Sequence, residues 1–209
     1  MSNEINWSEA IQPLLKKYKG EKHPLQFKSI YELMVMVVLS AQVSDKLINT
    51  LAPKLFKAYP TMQSLSHATA EDLLPYVNKI RNFANKTAWL LDMAKQIKND
   101  KNIPTTMEGL TALPGIGRKS ANVIMREMKV PREGIIIDLH TLRVANRIGI
   151  SDDSNPIAME KKMMKIIPQK DWEVGMALSF LGREVCRPTN PNHEVCVMKN
   201  VCEFCKQTY

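Results

Sequence analysis

The stretch LTALPGIGRKSANVIM, residues 110–125, decides the fold. An amphipathic helical run ends at Leu113, Pro114-Gly115-Ile116-Gly117 turns, and a second helical pattern starts at Arg118. Pro114 fixes one turn dihedral, while Gly115 and Gly117 permit positive φ and keep side chains away from an approaching ligand. Two helices therefore meet at a glycine hairpin. The unpaired N–H groups at the start of the second helix, reinforced by its dipole, form an anion site suited to a DNA phosphate. Ile116 is expected to pack inward and set the crossing of the two helices. The plainer alternative is a helix connection whose glycines serve only the turn. The surroundings favour the anion: residues 115–147 hold seven Lys or Arg against three Asp or Glu, a net +4, which is half the +8 carried by the whole chain.

Outward from the hairpin, helix dominates. Residues 30–39, IYELMVMVVL, are apolar on nearly every face, as in a helix buried on most sides. The pattern breaks at residues 40–45 and resumes at 46–59, interrupted by Pro53 and predicting a capped, kinked helix. Further helical patterns cover 69–78, 86–98, 106–112, 118–129, 139–148, 156–167 and 171–185. Ile135-Ile136-Ile137 is too short for a sheet and reads as a buried extended link into Asp138. With only 8 Gly and 6% aromatics in 209 residues, the composition argues against a β-sandwich or barrel and for an all-α protein.

At 44% hydrophobic and 24% charged, the chain can bury a core and is not disordered. Its pI near 9.3 points to a polyanionic partner. The amino terminus lacks the basic and apolar segments of a secretory signal, and the longest apolar run, residues 33–41, falls short of the roughly 20 needed to span a bilayer. A cytoplasmic monomer without membrane contact is the expectation.

Cys186, Cys196, Cys202 and Cys205 are the only cysteines, separated by gaps of nine, five and two residues. Without an export signal, disulfides are not expected. Four clustered thiols suit a zinc ion or an iron–sulfur cluster, and spacing alone does not choose between them. Two other residues carry chemistry. Lys119 stands at the start of the hairpin's second helix, where Arg118, the helix dipole and desolvation by packed DNA all push it toward the neutral amine that a Schiff-base nucleophile needs. Its bland alternative is a solvated cation on a phosphate. Asp138 precedes a helical pattern carrying Leu142, Ala145 and Ile148, an N-cap position that capping alone explains; a carboxylate there can also stabilise oxocarbenium charge.

LPGIGRKSAN followed by IIIDLHTLRVANR, with LSAQVSD at 39–45 and the terminal cysteine loop, resembles the endonuclease III family of helix-hairpin-helix DNA glycosylase/AP lyases from about residue 20 onward. The resemblance implies two helical lobes, a barrel over 24–131 and a cluster domain from 1–23 and 132–209, with double-stranded DNA between them. It implies Lys119 as the nucleophile, Asp138 as the catalytic carboxylate, and excision followed by β-elimination at damaged bases or abasic sites, oxidised pyrimidines being the default lesion. A noncatalytic helix-hairpin-helix DNA-binding module with a structural metal loop is the rival. The resemblance further implies that Gln42 fills the gap left by a flipped nucleotide and that Asn82 stands where the family carries an apolar wedge; Gly115, Gly117, Arg118 and Lys119 complete the DNA contacts. Leu139 replaces the family's usual Thr, a departure expected to bear on the cap. Laid on the family's [4Fe-4S] loop, Cys186, Cys196 and Cys202 fall in register and His193 stands where a cysteine is expected. Either His193 is the fourth ligand or Cys205 replaces it, and four thiolates are the better match to iron–sulfur chemistry.

Overall fold

The computed structural model describes residues 5–208, and its regular structure is helical. Two short helices, α1 (Trp7–Ala10) and α2 (Gln12–Lys17), are followed by α3 (Ile30–Ser40), α4 (Asp45–Ala58), α5 (Met62–Ser66), α6 (Ala70–Val77) and α7 (Phe83–Ile97). Then come α8 (Met107–Thr111), α9 (Arg118–Met128), α10 (Leu139–Ile148), α11 (Pro156–Ile166), α12 (Val174–Glu184) and α13 (Glu203–Thr208). Many starts are written into the sequence as hydroxyl or amide caps: the side chains of Ser29, Ser44, Thr69 and Asn155 each accept a first-turn N–H. Ser44 caps α4, and the helix continues through Pro53.

The chain divides into two units. One is Lys22–Arg132, with α3 as its spine: every residue from Leu33 to Leu39 is buried, and α4, α7 and α9 pack against it. The turn between α8 and α9 is seated on this spine. Gly115 has φ +78°, and a Cβ there would stand 3.2 Å from both Trp89 and Val38. Ile116 is buried as its pattern predicted.

The other unit joins the segment up to Glu21 to everything from Glu133 onward. Here α10 packs on α12 and α13, while α2 docks on α12. Ile11 and Leu14 are fully buried, worth about 1.5–3 kcal/mol each before the cost of ordering the chain. The Tyr18 ring stacks on Phe180 at 5.6 Å, and its hydroxyl donates to Glu184 at 3.1 Å. The link Ile135-Ile136-Ile137 is buried and lies outside any helix, crossing α12 where a glycine lets it pass: a Cβ at Gly175 would lie 2.4 Å from the Ile136 carbonyl oxygen. A larger residue there would push the link, and Asp138 with it, off α12.

Candidate functional site

The second helix of the hairpin begins without a side-chain cap. Gly117 occupies the N-cap of α9 at φ −92°, an extended backbone that any residue adopts, and a Cβ there would meet nothing within 4 Å. Packing therefore explains Gly115 but not Gly117. Lys119 is exposed at the second residue of α9 and Arg118 half-buried at its first. Such a helix start attracts an anion.

Asp138, in the other unit, does take the N-cap of α10. Its Oδ1 accepts the Thr141 N–H at 2.8 Å, and the Thr141 hydroxyl lies 3.0 Å away. Because the cap bond reaches the third helical residue, position 139 takes no part in it; the cap is intact, and Leu139 is 78% exposed. The Ser179 hydroxyl donates to Oδ2 at 2.6 Å, and an Arg183 guanidinium nitrogen lies 3.7 Å from the same oxygen. Burial alone would raise this carboxyl, but the Ser179 hydroxyl, the Thr141 N–H, His140 and the Thr141 hydroxyl outweigh it and hold Asp138 below the ordinary carboxylate range.

Gln42 and Asn82 both carry exposed amides on left-handed backbones, at φ 58° and 56°. Asn82 precedes α7 without lending its side chain as a cap, so the helix starts at Phe83, three residues before its apolar pattern suggests. The two loops share a brace. Lys86, 2% exposed, sends Nζ from the first turns of α7 to the carbonyls of Leu39 (2.8 Å) and Ala41 (2.6 Å), the latter adjoining Gln42. Burial, with Arg81 nearby, pushes this amine down. No sequence pattern marks Lys86, since a lysine among polar neighbours reads as a solvated cation.

Cys186, Cys196, Cys202 and Cys205, together with His193 and Phe204, line one recess. No disulfide joins the thiols. The Cys205 N–H donates to the Cys202 sulfur at 3.4 Å, and an Arg147 nitrogen lies 3.5 Å from that of Cys186. Burial pushes the Cys196 and Cys202 thiols up. Among the described residues, no three His, Cys, Asp or Glu side chains are placed to hold a single metal ion.

Several cations near the hairpin in sequence have partners of their own. Arg143 donates to the carbonyls of Gly182 (2.8 Å) and Cys186, Arg147 to those of Arg187 (2.6 Å) and Pro188 (2.8 Å), and Arg126 pairs with Glu127. The Arg147 guanidinium also lies 4.5 Å from the centre of the Phe204 ring. Two of the seven cations thus brace the cysteine loop. Arg183, beside that loop, turns to Asp138 and Ser179. Ser179 has a single signal in the sequence, a hydroxyl within the apolar run GMALSFLG.

Among the described residues no helix is long and apolar enough to cross a membrane. Residues 35–169 match the HhH-GPD superfamily of base excision DNA repair proteins. The chain is 34% identical over 203 residues to endonuclease III of Buchnera aphidicola subsp. Schizaphis graminum, covering 95% of this chain and 96% of that one. It is 31% identical over 198 residues to endonuclease III of Synechocystis sp., covering 93% and 90%. Its fold superposes with TM-score 0.86 on a trapped endonuclease III–DNA covalent intermediate, 29% identical, over 96% of this chain and 95% of that one. A thermostable thymine-DNA glycosylase, 16% identical, shares the fold at TM-score 0.80. The all-helical architecture, the glycine hairpin between α8 and α9 and these relationships agree: the chain belongs to the HhH-GPD superfamily of base excision DNA repair proteins and, within it, to the endonuclease III family.

Proposed function

We propose that this protein is a bifunctional DNA N-glycosylase/AP lyase that removes damaged bases, oxidised pyrimidines by default, from double-stranded DNA and then cuts the strand. The observation that carries the reading is the α9 start: an uncapped helix terminus behind a glycine with no contact to fill, bearing an exposed lysine. A phosphate on the amides of Gly117, Arg118 and Lys119 would bring the sugar of a flipped nucleotide to the Lys119 amine. The Lys119 nitrogen then bonds to C1′ as the C1′–base bond breaks, the base leaving with the bonding pair and taking up the proton that the attacking amine releases. Ring opening gives an iminium ion; loss of a C2′ proton expels the 3′ phosphate. Asp138, held ionised, stabilises positive charge developing at the sugar. Gln42 fills the vacated stack and meets the orphaned base, and Asn82 is the second insertion residue; Lys86 keeps their two loops in register.

Four cysteines line the recess and two of their sulfurs already receive N–H groups, a donor set that fits an iron–sulfur cluster, with zinc the alternative. Cys186, Cys196, Cys202 and Cys205 are the proposed ligands, with His193 the alternative for one position. A [4Fe-4S] cluster there would be architectural, tying α10, α12 and α13 to the loop. Absorption near 400 nm, with iron content of wild type, Cys205→Ser and His193→Ala, decides the ligand set.

The decisive experiment is borohydride trapping on abasic-site DNA. Wild type is expected to give a covalent adduct and Lys119→Ala none. An adduct that persists in Lys119→Ala removes the proposed nucleophile, and no adduct at all in wild type leaves the chain a noncatalytic DNA-binding module.

A further inference from the structure

We propose that Ser179 is the positioning residue of Asp138, aiming one carboxylate oxygen and keeping it unprotonated, an inference that rests on the catalytic reading of Asp138 given above. Ser179 is completely buried on α12, in a run whose neighbours Leu178, Phe180 and Leu181 are also buried and apolar. A buried hydroxyl there costs stability unless bonded. Its bonding is directional. Arg183 Nε donates to Ser179 Oγ at 3.4 Å, one turn further along the same helix. The oxygen is thereby an acceptor, and its single hydrogen goes to Asp138 Oδ2, 2.6 Å away.

Thr141 cannot do the same work. Its one hydroxyl hydrogen is divided between Asp138 Oδ1 at 3.0 Å and the Gly175 carbonyl at 2.9 Å, and its N–H engages only Oδ1. Oδ2 thus depends on Ser179, with Arg183 behind it at 3.7 Å. The charged groups acting on the carboxylate are His140 and Arg143 from α10 and Arg183 from α12, all cationic or able to become so. They favour ionisation but do not orient an oxygen as a short hydroxyl bond does. Holding Oδ2 against α12 leaves the carboxylate in one rotamer. It follows that Asp138 serves as a fixed negative charge, with no proton to give at neutral pH.

The test follows the carboxyl directly. The 13C resonance of the Asp138 side chain is titrated in wild type, Ser179→Ala and Ser179→Thr, and single-turnover excision from a lesion duplex is measured across the same pH range, with Asp138→Asn alongside. Ser179→Ala is expected to raise the titration midpoint by about one pH unit and to move the acid limb of excision with it. Ser179→Thr, which keeps the hydroxyl, restores both. An unchanged midpoint and acid limb in Ser179→Ala overturn the inference. Should that variant not fold, Arg183→Gln, which unties the serine, is expected to raise the midpoint in the same direction, and no shift there overturns it equally. Asp138→Asn with wild-type excision refutes the catalytic reading instead, leaving the carboxyl titration to judge Ser179 alone.

Discussion

Replacing the two hairpin glycines by alanine, one at a time, separates a glycine required by the fold from one required by the ligand. At Gly115 the backbone is left-handed at φ +78°, which costs an alanine about 1–2 kcal/mol. The new methyl would also press at 3.2 Å on Trp89 and Val38, adding about 1 kcal/mol. Gly115→Ala should therefore lose about 2–3 kcal/mol, lowering the melting temperature of a chain this size by about 5–10 °C. Gly117 differs on both counts: its φ is −92° and a methyl would meet nothing within 4 Å. Gly117→Ala should cost only about 0.5 kcal/mol, the small penalty for alanine at an N-cap. That methyl would stand where a phosphate must approach the first amides of α9, and losing one such contact weakens binding about tenfold, or 1.4 kcal/mol. Differential scanning fluorimetry and fluorescence anisotropy with an abasic-site duplex at fixed salt read the two effects independently. Wild-type affinity in Gly117→Ala, or a melting temperature as low as that of Gly115→Ala, would refute the phosphate site at this helix start.

Other outcomes follow from the same geometry. Lys86→Met keeps the bulk of the side chain but strands the Leu39 and Ala41 carbonyls, so urea unfolding should show a loss of about 2 kcal/mol, with faster amide exchange at Gln42; an unchanged midpoint would mean water replaces the amine without cost. The Asp138 carboxyl is held low in the folded state, so its contribution to stability is complete above the unfolded value of about 3.9 and disappears as pH falls through the folded one. Acid unfolding of Asp138→Asn should accordingly be flatter below about pH 4, and a profile parallel to wild type would contradict the bonding described. Affinity for duplex DNA should fall steeply with salt, and Arg118→Ala should reduce the log–log slope by about one; a flat wild-type profile would remove phosphate contacts as the source of binding.

Features carried by neighbouring residues were legible in the sequence, and features carried by distant ones were not. The helix of Ile30–Ser40 announces itself because it is apolar on all faces, and α3 is buried on all of them. The hairpin, the buried Ile116 and the capping role of Asp138 are equally local, each set by a few adjacent residues. The short α5 and α13 escaped because five or six residues are too few to establish a helical period. The destinations of the arginines escaped for another reason. Arg143 and Arg147 reach carbonyls about forty positions onward, so a count of charge by sequence window credits the hairpin with cations that the cysteine loop consumes. Lys86 and Ser179 were invisible on the same principle: a buried lysine and a buried serine are recognisable only once the carbonyls and the carboxylate they serve are in place.

The pairing of α2 with α12 carries a consequence for biosynthesis. Residues 22–132 can leave the ribosome and collapse around α3 while Ile11, Leu14 and Tyr18 still lack the surface of residues 174–184 on which they are buried. For that interval the early helices trail as an exposed greasy tether. A slow stretch of translation inside the intervening segment would prolong the exposure, whereas one placed after residue 184 would give the tether time to dock.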